Sequence, residues 1–249
     1  MRKQILFLAI STIININFYS QIVFENGYFI NESNQKVECL IKNVDWKNNP
    51  SEFKYKLSQN TEIKKADIRS VKEFGINGAS KYIRTIVKID RSSEDLKKMN
   101  IERNPIFQEE QLFLKVLVEG KASLFLYEDR NLKRFFYKTN DSEIKQLVYK
   151  HYLTNRKQIK ENNQFRQQLF IDLKCQDISM NYIETIGYYK KNLESFFVKY
   201  NECKNSSYIN YEEKRKRDLF NLTLRPGLNI VLAPEIAGQK NKNRLEENS

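Results

Sequence analysis

The sequence predicts an α+β protein: an N-terminal antiparallel β-rich domain, sandwich or barrel-like, then a small helical region and one C-terminal strand. Three observations carry this prediction. Up to about residue 138, apolar and polar residues alternate, as in strands with one buried face. From about residue 141, apolar residues recur three and four apart, the spacing of a helix face. Between Phe220 and Leu232 the alternation returns.

The chain opens on Met1-Arg2-Lys3, followed by the uncharged, largely apolar run Ile5 to Ile14. That is the order of a signal peptide's cationic and hydrophobic regions. Asn15 and Asn17 interrupt the run, leaving it short of the roughly 20 residues that cross a bilayer as a helix. Residues 1–20 are therefore expected to be a secretory signal peptide cleaved before Gln21, although Phe18 is bulky where a small residue is usual. The mature protein is expected outside the cytoplasm, in the periplasm or at the outer membrane.

Within residues 21–140, Val37 to Ile41 is one candidate strand. Phe53, Tyr55 and Leu57 form another, and Ile83, Thr85, Val87 and Ile89 a third. Leu112 to Val118 is almost continuously apolar, as a strand covered on both faces would be. Leu124–Tyr127 and Leu132–Tyr137 read as a hairpin around a four-residue loop, Glu128 to Asn131. Residues 91–105 are polar and end at Pro105, and read as a mobile surface loop.

In the helical region, residues 141–210, Ile144, Leu147, Val148, His151 and Tyr152 fit one helix face. Phe165, Leu169 and Leu173 fit a second helix, and Leu193, Phe196, Phe197 and Tyr200 a third. Cys175 and Cys203 follow these last two helices and are the expected disulfide, closing a loop worth about 3 to 4 kcal/mol on the chain-entropy estimate. Cys39, in an apolar strand, is expected to be a buried small hydrophobe. Three scattered cysteines and one histidine lack metal-ligand spacing.

Residues 211–219 read as a basic linker containing Lys214-Arg215-Lys216-Arg217. Such a run attracts anionic headgroups if it lies at a membrane surface, and is otherwise a solvated linker. The strand at 220–232 is long enough for a transmembrane β-strand, with Pro226 as its defect. A polar tail occupies residues 233–249. The formal net charge is +12, but basic and acidic residues are interspersed and no nucleic-acid-binding module is recognisable.

No catalytic constellation is expected. His151, the only histidine, reads as a core or interface residue. Glu109 and Glu110 are adjacent and point to opposite faces of a strand, so both are expected to be solvated. Gly75 to Lys81 lacks the spacing of a phosphate loop. No cofactor and no metal are implied.

Gly27-Tyr28-Phe29, Cys39 to Asn43, Asp45-Trp46, Phe74-Gly75-Ile76, Ile89-Asp90-Arg91-Ser92, Leu112 to Lys115, Phe135-Phe136-Tyr137, Tyr200 to Cys203 and Leu224 to Gly227 together resemble an uncharacterised group of exported Gram-negative envelope proteins. In that group a soluble β-rich and helical region precedes a C-terminal outer-membrane β-barrel. The resemblance implies a non-enzymatic envelope protein with an interaction role, its partners being envelope proteins or outer-membrane lipid. Ile230 to Ser249 departs from that pattern and reads as a truncated end. The alternative is a self-contained soluble periplasmic module that binds a ligand or protein.

Overall fold

The structure, a computed structural model, describes residues 23–140 and 142–211. The expected signal peptide, the linker beyond Tyr211 with its Lys214–Arg217 run, the strand at 220–232 and the tail lie outside the described residues.

Within the described residues the chain is mostly antiparallel β-sheet with a few helices. The first five strands are β1 (Phe24–Asn31), β2 (Lys36–Lys42), β3 (Glu52–Lys56), β4 (Lys64–Asp67) and β5 (Val71–Ile76). The next five are β6 (Ser80–Asp90), β7 (Phe107–Glu119), β8 (Ala122–Asp129), β9 (Leu132–Thr139) and β10 (Lys145–Gln146). They join in one sheet in the order β10-β9-β8-β7-β6-β5-β1-β2-β3-β4, and β13 (Ile209–Asn210) pairs with β7. β11 (Lys150–Leu153) and β12 (Ile159–Asn162) form a separate hairpin. The helices are α1 (Gln164–Asp172), α2 (Met180–Thr185) and α3 (Lys190–Cys203).

The expected strands at 37–41, 53–57, 83–89 and 112–118 are present as β2, β3, β6 and β7. The β8–β9 hairpin differs in its turn. Asp129 pairs with Leu132, leaving two loop residues, of which Arg130 has φ +55°. Glu128 and Asp129 extend the strand, and a Lys133–Glu128 ion pair at 2.7 Å flanks the turn. The Gly75–Lys81 segment is also a hairpin turn. The Ala79 N–H donates to the Ile76 carbonyl at 3.0 Å, and Gly78 at φ +74° supplies the conformation that other residues resist.

The helix expected over Ile144 to Tyr152 is not formed. That stretch is β10, a connection, and the start of β11. Its apolar residues are buried in a different way: Leu147 packs among the helices, whereas Ile144 packs against the β6–β9 core. The free edge of β9 needs backbone partners, and β10 supplies them through the pairs Lys145–Tyr137 and Gln146–Phe136. This tertiary demand overrides a local helical spacing that would leave the β9 edge bare.

Three cores result. Phe53, Phe74 and Tyr82 stack in sequence at 4.3 and 4.8 Å, with Phe113 edge-on to Phe74 at 5.0 Å, and hold β1–β5 to β6 and β7. Val87, Ile89, Leu114, Val116, Phe125 and Phe136 form the second core, inside the β6–β9 curl. On the opposite face of β8 and β9, Leu124, Leu126, Phe135 and Tyr137 meet α1–α3. Strand β8 is therefore covered on both faces.

Helix α3 forms because Leu193, Phe196, Phe197 and Tyr200 share one face, and all four are buried. It ends where Asn205 adopts φ +48°, a left-handed C-terminal cap. Asn201, fully buried, fastens the helix to the β7–β8 turn. Its side chain accepts from the Ala122 N–H and donates to the Ala122 and Phe197 carbonyls, each at 2.9 Å. A Cβ at Gly120 would stand 2.8 Å from the Asn201 Oδ1, so only glycine fits that turn.

The Cys175–Cys203 pair is formed as expected, joining the α1–α2 connection to the end of α3, with Cα atoms 6.4 Å apart. This separation lies in the usual disulfide range. Cys175→Ser is expected to cost about 3 to 4 kcal/mol, and reductant should destabilise the wild type by a similar amount while leaving the variant unchanged. Thermal melts with and without reductant test this.

Candidate functional site

A cleft of about 900 Å³ opens between β6 and the segment that carries β10. Thr85 to Lys88 form one wall, Ser142 to Gln146 the other, and Pro105, Phe107 and Gln168 contribute to the floor and ends. The walls come together where β10 lies beside β6. There the Asp90 N–H donates to Gln146 Oε1 at 2.9 Å.

That closed end is built around Arg134, which is 1% exposed. It belongs to β9 and reaches across to the end of β6. Its Nε donates to the Asp90 carbonyl at 2.9 Å and its Nη2 to the Ser92 carbonyl at 2.7 Å. Its Nη1 donates to the Lys133 carbonyl at 2.9 Å and to Glu94 at 3.3 Å. The Asp90 carboxylate, equally buried, lies 3.9 Å away. Asp90 Oδ1 accepts from the Ser92 hydroxyl at 2.7 Å and the Ile106 N–H at 3.2 Å. Both ends of the 91–105 loop are thereby tied to β6.

Further contacts hold the loop down. Lys150 Nζ donates to the Asn104 carbonyl at 2.8 Å and Asn162 Nδ2 to the Arg103 carbonyl at 3.0 Å. Leu153 N–H reaches the Asn100 carbonyl at 2.9 Å. The loop is therefore the seat of the β11–β12 hairpin as well as a surface segment.

Gln168 of α1 finishes the second wall. Its amide donates to the Gln146 carbonyl at 3.0 Å and accepts from the Val148 N–H at 2.7 Å, standing in for a neighbouring strand. Two buried polar atoms at this end have no hydrogen-bond partner: Asp90 Oδ2 and Gln146 Nε2. The Asp90 N–H occupies Gln146 Oε1, which leaves Nε2 as a donor within the residues that line the cleft.

Beside the knot, Arg91 grips Glu110 in a bidentate pair at 2.9 and 2.6 Å. It also contacts Asp129 at 3.0 Å and the Tyr127 hydroxyl at 3.1 Å. Glu110 is therefore part of an ion-pair cluster and is not merely solvated, as expected from sequence. Glu109, on the other face, is exposed. Hydrogen bonding to Arg91 holds the Glu110 carboxyl below its ordinary value, against the opposing effect of partial burial.

The remaining residues singled out from sequence lie elsewhere. His151 is in β11, not on a helix, with Nε2 3.1 Å from the Tyr149 hydroxyl and 3.4 Å from Glu161. Burial, with Glu161 adding, pushes Tyr149 up to about 12. Cys39 is buried and free, and desolvation, with Glu38 adding, pushes its thiol up to about 11. That keeps it an inert apolar group. Cys175, Asp177 and Cys203 bring ligand-type atoms within 4.8 Å of one another, but the bonded sulfurs leave no thiolate to bind metal.

Sequence reading overlooked Arg134 and Gln146, and named Asp90 only within a motif of the resemblance. A signal existed for the first. Leu132, Arg134 and Phe136 fall on one face of an alternating strand, so an arginine stood where the pattern called for an apolar residue. Gln146 carried no such signal, because its segment was assigned the wrong period.

Arg134→Met is expected to cost about 3 to 5 kcal/mol, since it leaves the Asp90 carboxylate buried without its cation; urea unfolding measures it. For Glu110, whose folded value is depressed, the pair's contribution is present above the ordinary carboxylate value and is lost as pH falls through the folded one. Glu110→Gln should thus lower stability by about 1 kcal/mol near neutrality, and the difference should shrink at a pH well below the ordinary carboxylate value. Urea melts at the two pH values read both. No protein-family model, curated protein or solved structure matches this chain.

Proposed function

We propose that the chain is an exported cell-envelope protein that acts by binding, its β-rich body being the periplasmic or surface region of an outer-membrane protein. The Cys175–Cys203 pair carries the export part of this reading, because disulfides persist in oxidising compartments and are rare in the cytosol. The signal-like order of residues 1–20 points the same way. The binding part rests on the cleft, where a pinned loop and a buried charge knot hold polar groups beside open space. Preorganised polar groups in a concavity are what recognition sites require.

The outer-membrane part rests on the resemblance of the quoted motifs and on the alternating segment at 220–232. Among the described residues no helix is long and apolar enough to cross a membrane. A self-contained soluble periplasmic binding module is the second reading. It is favoured by one observation: the described residues form their own three packed cores.

Expression of the full chain in a Gram-negative host tests these readings. The expected result is recovery outside the cytoplasm with Cys175 and Cys203 resistant to alkylation until reduced. Retention in the cytoplasm with both thiols free would overturn export. A need for detergent during purification supports the outer-membrane reading, whereas a monomer soluble without it supports the second.

A further inference from the structure

We propose that the seam between β6 and β10 receives an extended polypeptide strand from a partner protein, which pairs with the outward backbone of Ile86 and Lys88. This names the partner class for the binding reading above and rests on it.

The argument begins with the ladder. β6 and β7 pair without a break from Tyr82–Lys115 to Asp90–Phe107. In an antiparallel ladder, alternate residues turn both backbone groups toward the same neighbour. Asp90 gives its N–H to Gln146 and its carbonyl to Arg134, so it faces away from β7. Lys88 and Ile86, two and four residues earlier, face the same way. On that side β5 covers β6 only as far as Ile83. Arg84 is the outward residue next to that last pair, and Ile86 and Lys88 are the outward residues of β6 between it and the knot. Apart from a long 3.4 Å contact from the Thr85 hydroxyl to the Ile86 carbonyl, no hydrogen bond within the described residues reaches these groups.

The surroundings select a polypeptide. Backbone donors and acceptors spaced along a strand edge are matched by another strand, the recognition mode in which main-chain bonds supply affinity and side-chain pockets specificity. Gln146 Nε2, buried and unpartnered at the closed end, is a further donor for a carbonyl of the incoming chain. Ile86 is 66% exposed and Phe107 42% exposed, giving apolar contacts at the mouth. The lining lysines Lys88, Lys138 and Lys145 outnumber the carboxylates Glu109 and Glu143, which favours a strand carrying an acidic side chain. The sheet's other edge is different in kind. β4 is only four residues long and carries Lys64 and Lys65, the usual protection against strand addition.

The test uses the full chain and a displayed library of random peptides of about six residues, a common strand length, followed by the synthetic form of the enriched peptide. In the free protein the Ile86 and Lys88 amides should exchange rapidly while those of Thr85 and Val87 are protected. On adding peptide, exchange at 86 and 88 should slow by about tenfold or more. N-methylation of alternate peptide amides should weaken binding about tenfold, and methylation of the intervening ones should not. Ile86→Pro removes an outward N–H without removing a bond to β7, and should weaken binding similarly. Because the exchange measurement needs no variant, it decides the matter even if Ile86→Pro fails to fold.

Binding that leaves exchange at 86 and 88 unchanged would overturn the proposal. So would protection of both amides in the free chain, which would mean that the chain fills its own seam. If no peptide is enriched but a saccharide panel binds at the cleft, strand addition falls while the binding reading stands. Failure of export would show separately, in the fractionation.

Discussion

Arg134 is the constraint on which the rest of the structure depends. A guanidinium with almost no solvent contact must have its donors satisfied within the protein, and here they are spent on the carbonyls of Asp90, Ser92 and Lys133 and on Glu94. The bonds to Asp90, Ser92 and Glu94 draw the end of β6 and the start of the loop after it toward β9, to which Lys133 itself belongs. The end of β6 is brought across the curl, the first turn of the 91–105 loop is fixed, and the Asp90 carboxylate is buried beside the cation. The cost of desolvating such a pair is large, and replacement by apolar residues often does as well for stability alone. Its effect here is geometric, since no apolar side chain could hold two carbonyls in register.

From that knot the cleft follows. β6 is long enough to outrun β5, and β10 is too short to cover what remains. The two walls are therefore joined at one end and unpaired along the rest. Gln146 and Gln168 act as joints, each offering an amide where a strand would have offered a peptide group. Helix α1 is thus coupled to the sheet through hydrogen bonds as well as through Phe165 and Leu169. Asn201 does the same for α3 at the other end of β8. The disulfide then ties α3 back to the segment following α1, so the helices are held on one face while the other face encloses the second core.

Several of the motifs that carried the resemblance prove to be structural joints. Ile89-Asp90-Arg91-Ser92 contains the knot and the Glu110 clamp. Phe135-Phe136-Tyr137 places side chains alternately in the two cores of the sheet. Tyr200 to Cys203 supplies the turn-fastening Asn201 and one half of the disulfide. Gly75 stands where a Cβ would come within 2.6 Å of the Ser80 carbonyl. Motifs of this kind report a fold and say little about a ligand.

Local patterning in the sequence was enough for β2, β3 and the strands from β6 to β9, for two of the three helices, for the pairing of Cys175 with Cys203 and for the burial of Cys39. These are set by local periodicity, by the number of cysteines and by apolar content, all of which are properties of short stretches. The tertiary structure alone decided the fate of 144–152, where a helical spacing yielded to the unpaired edge of β9. It also decided that Glu110 is clamped and that the polar loop after β6 is pinned at both ends. The cleft belongs to the same class. It depends on which strand outruns its neighbour and where a buried arginine reaches, and neither is encoded in the residues nearby. Backbone hydrogen-bond demand is settled between segments distant in sequence, so it could be read only once the sheet was assembled.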